Sequence, residues 1–460
     1  MIQRPLKALS FWFIAAVILL ATVTGCGAPG QWQFYHRIEI SSQVPPELTT
    51  FWEAWKLLQK DYGGKETLDQ RQLQEGAIQG MLSAVGNDGA KYVSPEEYDP
   101  TAPDMGGVWQ AWRALMPRLK EAGVDVSPQK LEEGAIHGML GALDNPYTSY
   151  LSPEEYTSQL AGFESKYEGV GLYVGSVGNQ ITVVSPIPDT PADRAGITAG
   201  DIIVEVDGAP MAGLGVAEAA QRIRGPKGTS VELVLQRPGE ETLRRITLVR
   251  EEVTHASVLW KPLGEDLAYL RITEFLDNTD GEVGDALKEI LAAGSKGLIV
   301  DLRHNPGGLL NTTVNVASQF LNDGLVLYQV SADGTRQDMP VRPGGIARKI
   351  SMVVLVDRAS ASASEVLTAA LQDHGRAVVL GTRTYGKGSV NELKRLDSGS
   401  GMYLTVALWY SPKGRMIEGE GLTPDINVPM DIRVQIGSQD DLQFQAAVEY
   451  LMSEVAAPAM

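Results

Sequence analysis

SMVVLVDRASASASEVLTAALQDHG, residues 351–375, decides how this chain folds. Ser351 to Val356 form a valine-rich run with no polar alternation, which predicts a strand covered on both faces. Asp357 and Arg358 end the run, and alanine and serine then alternate. Val366, Leu367, Ala370 and Leu371 return at helical spacing until Gly375 stops the helix. GLIVDLR (297–303) is a second buried strand, followed by HNPGG (304–308) and a helical stretch to Leu321; AVVLG (377–381) is a third. Strand, glycine turn and helix in alternation predict an α/β core with parallel pairing over residues 251–430. DDLQFQAAVEYLMSE (440–454) predicts one more amphipathic helix in the tail, 431–460.

Before this core the period changes. GVGLYVG (169–175), QITVVSPI (180–187), GDIIVEVDG (200–208) and SVELVLQR (230–237) are short strand patterns, with one amphipathic helix from Gly215 to Arg224. They predict a small β-domain over 165–250. Earlier still, the chain repeats itself. LQEGAIQGMLSAVGNDGAKYVSPEEY, from Leu73, recurs as LEEGAIHGMLGALDNPYTSYLSPEEY, from Leu131, and FWEAW (51–55) is echoed by VWQAW (108–112). Two copies are too few for a solenoid, so a duplicated helical module is expected, 51–104 and 105–164, with its Trp and Met residues in the core. The whole reads as a multidomain α+β chain.

Residues 1–25 have the layout of a secretory signal. Arg4 and Lys7 precede an apolar run from Phe11 to Ala21, short for a membrane span, and small residues lead to Cys26. Val23-Thr24-Gly25-Cys26 resembles a bacterial lipoprotein signal. The expected mature chain therefore begins at a lipid-modified Cys26, followed by a tether over 26–50, and lies in the cell envelope, outside the cytoplasm and anchored to a membrane. As the sole cysteine, Cys26 can form no intramolecular disulfide. Of 460 residues, 43% are hydrophobic and 21% charged, which suits several folded domains. The net charge of −18 argues against nucleic-acid partners. The five histidines lie far apart, with no zinc-ligand spacing, and no metal or cofactor is expected.

A serine placed where a strand turns into a helix can project its hydroxyl at the C-terminal edge of the sheet, beside helix amides that have no internal partner. Ser360, Ser362 and Ser364 compete for that place, and one of them is also expected to cap the helix. Asn305-Pro306-Gly307-Gly308 ends the neighbouring strand, and its paired glycines let backbone amides approach a ligand closely. For a base, His304 and His374 read as structural, and no GxSxG elbow is present. Lys387, in TYGKGSVNE (384–392), is the other option, because a desolvated lysine can act as a base and Ser-Lys pairs are a variant of the Ser-His-Asp scheme.

Five blocks in order, DNPYTSYLSPEEY (144–156), DLRHNPGG (301–308), SASASE (360–365), GTRTYGKGSVN (381–391) and SPKGRMIEGEGLTPD (411–425), resemble the signature blocks of the carboxyl-terminal processing proteases. The resemblance implies Ser362 as nucleophile, Lys387 as general base, and an oxyanion hole made by the amide of Ala363 and that of Gly307 or Gly308. It also names the β-domain, since GVGLYVG and TPADRAGITAGDIIVEVDG (190–208) resemble a PDZ domain. Such domains hold a protein C-terminus as an added strand. Gly169, Val170, Gly171 and Leu172 would bind the terminal carboxylate, and Val216, Ala220 and Ile223 would line the side pocket. Two departures stand out. The family's Gln four residues after the lysine, which helps to orient it, is Asn391 here, and the helical module is doubled.

The implied activity is that of an exported serine endopeptidase cutting near exposed protein C-termini. The doubled module is expected either to enlarge a homodimer surface or to shield the substrate channel. A catalytically silent PDZ and helical scaffold is the rival, and an esterase with the same dyad a weaker third reading.

Overall fold

The computed structural model describes residues 44–64, 67–86, 89–240, 242–431 and 434–456. Cys26 and the rest of the signal lie outside them. The core is a six-stranded sheet in the order Val258–Leu263, Leu267–Ile272, Gly297–Asp301, Ser351–Val356, Val378–Gly381, Ile426–Asn427, with every pair parallel except the first. Successive residues of a strand face opposite sides. Leu298, Val300, Val354 and Val356 therefore pack under the helices Thr279–Ala292, Leu310–Phe320 and Ala363–Asp373, while Ile299, Val353 and Leu355 meet Ala447 and Leu451 of the terminal helix Leu442–Ala456. Burial on both faces is why these strands show no alternation.

A second sheet is built on the ten-residue strand Gly401–Tyr410. Ser389–Arg395, Leu325–Ser331 and, from the helical region, Ser149–Leu151 all pair with it. The two repeats give helices Thr49–Asp61 and Gln70–Val85, then Gly106–Glu121 and Pro128–Gly141. Phe51, Trp52, Trp55, Trp109 and Trp112 are buried. The β-domain is a six-stranded antiparallel sheet with Leu172–Val177 at one edge, and helix Val216–Ile223 lies beside that strand.

Candidate active site

Ser362 caps helix Ala363–Asp373 with φ 54° and ψ −116°, a backbone conformation that costs a non-glycine residue about 1–3 kcal/mol. The surrounding turn over-determines it. Asn305 O accepts from Ala361 N at 3.0 Å and from Ser364 Oγ at 3.0 Å, and Asn305 Nδ2 donates to Ile272 O at 2.9 Å. Ser360 Oγ donates to Leu302 O at 2.8 Å and accepts from Asp357 N at 2.9 Å. Both flanking serines are fully buried with their hydroxyls committed, and Ser362 is the one of the three that stays partly exposed.

The glycine turn lies against this serine. A Cβ on Gly307 would fall 2.8 Å from Ser362 Cβ, and one on Gly308 would fall 2.2 Å from Phe275 O, so neither position tolerates a side chain. Their amides differ. Gly307 N donates to Asn305 Oδ1 at 2.8 Å, whereas the amides of Gly308 and Ala363 meet no acceptor among the described residues.

Glu365, one turn into the helix, was not singled out from the sequence. Its side chain is fully buried, and Oε2 accepts from Ser362 N at 2.9 Å and from Lys387 N at 2.9 Å. Oε1 accepts from Gly386 N at 2.8 Å and from Thr384 Oγ1 at 2.5 Å. One carboxylate thus joins the backbones of both dyad candidates. Burial pushes its carboxyl above the usual range, against the pull of those four donors. A Ser-x-x-Glu capping box was visible at Ser362 to Glu365, but its donors from 384–387 were not.

Lys387 is half-buried, and burial pulls its ammonium below the usual lysine range while Glu418 pulls the other way. Its Nζ lies 4.9 Å from the Tyr147 ring centroid and 5.5 Å from that of Tyr403. Asn391 is close by, but its amide is directed elsewhere. Nδ2 donates to Tyr147 O at 2.7 Å and to Thr405 Oγ1 at 3.0 Å, and Oδ1 accepts from Ser389 Oγ at 3.1 Å.

His304 bonds Asp357 through Nε2 at 3.0 Å and its backbone N at 3.0 Å. His374 Nε2 meets Leu325 O at 2.8 Å, at the opposite end of the helix from Ser362. In the β-domain, Val170 is buried, and Gly171, at φ 80°, packs against Thr190, where a Cβ would fall 2.2 Å from Oγ1. Val216 is exposed and Ala220 half-buried, so both can flank a strand added beside Leu172. Ile223 is 5% exposed and belongs to the domain core with Ala219 and Val231, so it lies deeper than Val216 and Ala220. Among the described residues no cluster of three His, Cys, Asp or Glu side chains is arranged to hold a metal ion.

The profile of Peptidase family S41 matches residues 266–428, and that of the PDZ domain matches 182–237. A carboxy-terminal-processing protease of Bartonella bacilliformis is 40% identical over 308 residues, 65% of this chain and 70% of that one. A carboxyl-terminal-processing protease of Picosynechococcus is 36% identical over 329 residues, 70% of this chain and 79% of that one. Among solved structures, a photosystem II D1 C-terminal processing protease is 30% identical, covering 84% of this chain and 94% of that one with a TM-score of 0.48. The chain is a serine peptidase that carries a PDZ domain. It belongs to the carboxyl-terminal processing proteases.

Proposed function

We propose that this chain is an exported endopeptidase in which Ser362 attacks the scissile carbonyl, Lys387 is the general base, and the PDZ domain selects substrates by a free C-terminus. The observation that carries the reading is the shared carboxylate: Glu365 accepts from the backbone of the partly exposed Ser362 and from that of the desolvated Lys387. The neutral amine takes the hydroxyl proton as Oγ bonds to the carbonyl carbon. The oxyanion that forms meets the amides of Ala363 and Gly308, the two without an acceptor. Lys387 then returns the proton to the departing amine, and water, activated by the same lysine, releases the acyl group.

In the PDZ domain the amides of Gly169 to Leu172 would hold the terminal carboxylate, with the substrate added as a strand to Leu172–Val177. Export and a lipid anchor at Cys26 belong to the same reading, supported by Val23 to Cys26. A homodimer belongs to it through surfaces other than the faces that pack the two repeats together. The test is labelling of the full chain with a fluorophosphonate, read by peptide mass spectrometry, beside cleavage of a peptide with an apolar C-terminus. The expected label is on Ser362, and Ser362→Ala and Lys387→Ala abolish cleavage. A label on Ser360 or Ser364, or undiminished cleavage by Lys387→Ala, overturns the assignment. Absence of both label and cleavage in the parent establishes the silent scaffold.

A further inference from the structure

Lys387 cannot wall itself off. Its neighbours are glycines whose close packing brings backbone near: a Cβ on Gly386 would fall 2.9 Å from Gly421 N, and one on Gly388 would fall 2.6 Å from Glu418 N. The rings near its amine come from elsewhere. Tyr403 lies on the long strand Gly401–Tyr410, and Tyr147 arrives from the second helical repeat. The position matching Tyr147 in the first repeat is Gly89, so only the second copy carries the ring.

Tyr147 is fixed from several directions. Its N donates to Asn145 Oδ1 at 2.9 Å, and Asn145 Nδ2 in turn donates to Tyr62 Oη of the first repeat at 2.9 Å. Its carbonyl takes the Asn391 amide at 2.7 Å, and its phenol meets that of Tyr385. Immediately after it, Ser149–Leu151 pairs with Gly401–Tyr403. These constraints bear on one ring, and that ring lies over a lysine amine.

We propose that Tyr147 is a positioning residue for the reaction: its ring covers the Lys387 amine and keeps water from it, and Asn391 acts by holding Tyr147 rather than by orienting the lysine. The proposal rests on Lys387 being the general base. The groups facing Lys387 fit the role. Glu418, whose carboxylate accepts from Gly388 N at 2.7 Å, favours the ammonium, and Glu365 binds the backbone N of Lys387. The phenols of Tyr147 and Tyr403 are pushed up by burial and stay neutral in the working range, and that of Tyr385 caps Tyr147. A π face returns to the ammonium part of what it loses on leaving water, but less than bulk hydration supplies, so the cover favours the neutral amine.

The experiment reads Lys387 directly. Cyanate adds only to a neutral amine, so the rate of carbamoylation at Lys387, followed by peptide mass spectrometry across pH, gives its midpoint without reference to activity. The full chain is compared with Tyr147→Phe, Tyr147→Ala and Asn391→Ala, and kcat/KM is profiled against pH for each. Tyr147→Phe should keep the midpoint. Tyr147→Ala should raise it by about one pH unit, with a roughly tenfold loss of kcat/KM at neutral pH that largely disappears at high pH. Asn391→Ala should move the midpoint the same way by less, and it carries the test should Tyr147→Ala fold poorly. A uniform loss at all pH values with an unmoved labelling midpoint overturns the proposal and leaves Tyr147 a structural residue. A labelling midpoint that moves while the activity limb stays in place supports the cover but refutes Lys387 as base.

Discussion

The three serines of the 360–364 run can be separated by pairing loss of activity against loss of stability. Removing the Ser360 hydroxyl strands the part-buried Asp357 N–H at the end of its strand, at a cost of about 1–2 kcal/mol. Removing that of Ser364 costs less, about 0.5–1.5 kcal/mol, because Asn305 O keeps the Ala361 amide as a partner. Ser362→Ala should cost no more than about 1 kcal/mol, the loss of a helix cap at a partly exposed site, since alanine occupies the same backbone conformation as serine. Ser362→Gly should stabilise the fold by about 1 kcal/mol: glycine adopts φ 54° freely, and its greater freedom in the unfolded chain offsets only part of that gain. Both Ser362 variants should lose activity by several orders of magnitude, up to roughly a millionfold. Ser360→Ala and Ser364→Ala should keep measurable turnover despite lower stability. The assay is calorimetric unfolding of each variant beside kcat/KM on one peptide. A stable but inactive Ser364→Ala, or an active Ser362→Gly, refutes the assignment.

Amidating the C-terminus of a substrate removes the charge that the amides of Gly169 to Leu172 would bind. Cleavage should slow at least roughly tenfold, and equal rates for acid and amide exclude this selection. Mass spectrometry of the mature chain should find lipid on Cys26 and altered processing in Cys26→Ala; an unmodified cysteine rules out the anchor. Glu365→Gln should lower kcat, because the amide must turn an NH₂ toward one of the donor pairs that now bond the two oxygens. Its stability should also depend on pH in a set sense. The raised folded-state pKa of Glu365 means that its contribution is full below the unfolded value of 4.5 and declines as pH rises through the higher folded value, so parent minus variant stability should fall across that window. A difference that grows with pH contradicts the burial account.

The strand, turn and helix of the core were legible because burial on both faces leaves an unbroken apolar run, as in Ser351 to Val356. The duplicated helices were legible for the same local reason, a periodic apolar face. What could not be read depends on contacts distant in sequence. Nothing near Ser360 or Ser364 reveals that Leu302 and Asn305 absorb their hydroxyls, so accessibility could not separate the three serines. Gly307 and Gly308 looked equivalent until the Asn305 side chain took one amide. Ile223 shares an apolar stripe with Val216 and Ala220, and only the folded sheet beneath the helix shows that it lies in the core while Val216 stays exposed. Asn391 read as a shortened Gln because its acceptor, Tyr147 O, lies 244 residues earlier.

The doubled module makes sense once its two copies are seen to complete each other. In the second copy, Glu132 Oε1 accepts from Phe51 N, at the start of the first copy's leading helix, at 2.9 Å. In the first copy, Gln74 Oε1 accepts from Gly107 N, at the start of the second copy's leading helix, at 2.9 Å. Glu132 and Gln74 occupy matching positions, so each copy satisfies amides that the other would leave orphaned. The following helices touch backbone to backbone through glycines: a Cβ on Gly80 would fall 2.1 Å from Gly134 O, and one on Gly138 would fall 2.1 Å from Gly76 O. This is the reciprocity of a two-fold dimer interface, here closed within one chain. The faces through which the two copies pack are therefore already occupied and are not open to a second chain. The first copy also grips the strands beside the site, through Gly63 N to Thr405 O at 2.9 Å and Asp61 to Lys394 at 3.3 Å. A loop that must hold one ring over one amine is better supported by a pair of helices locked at both ends than by a single free copy.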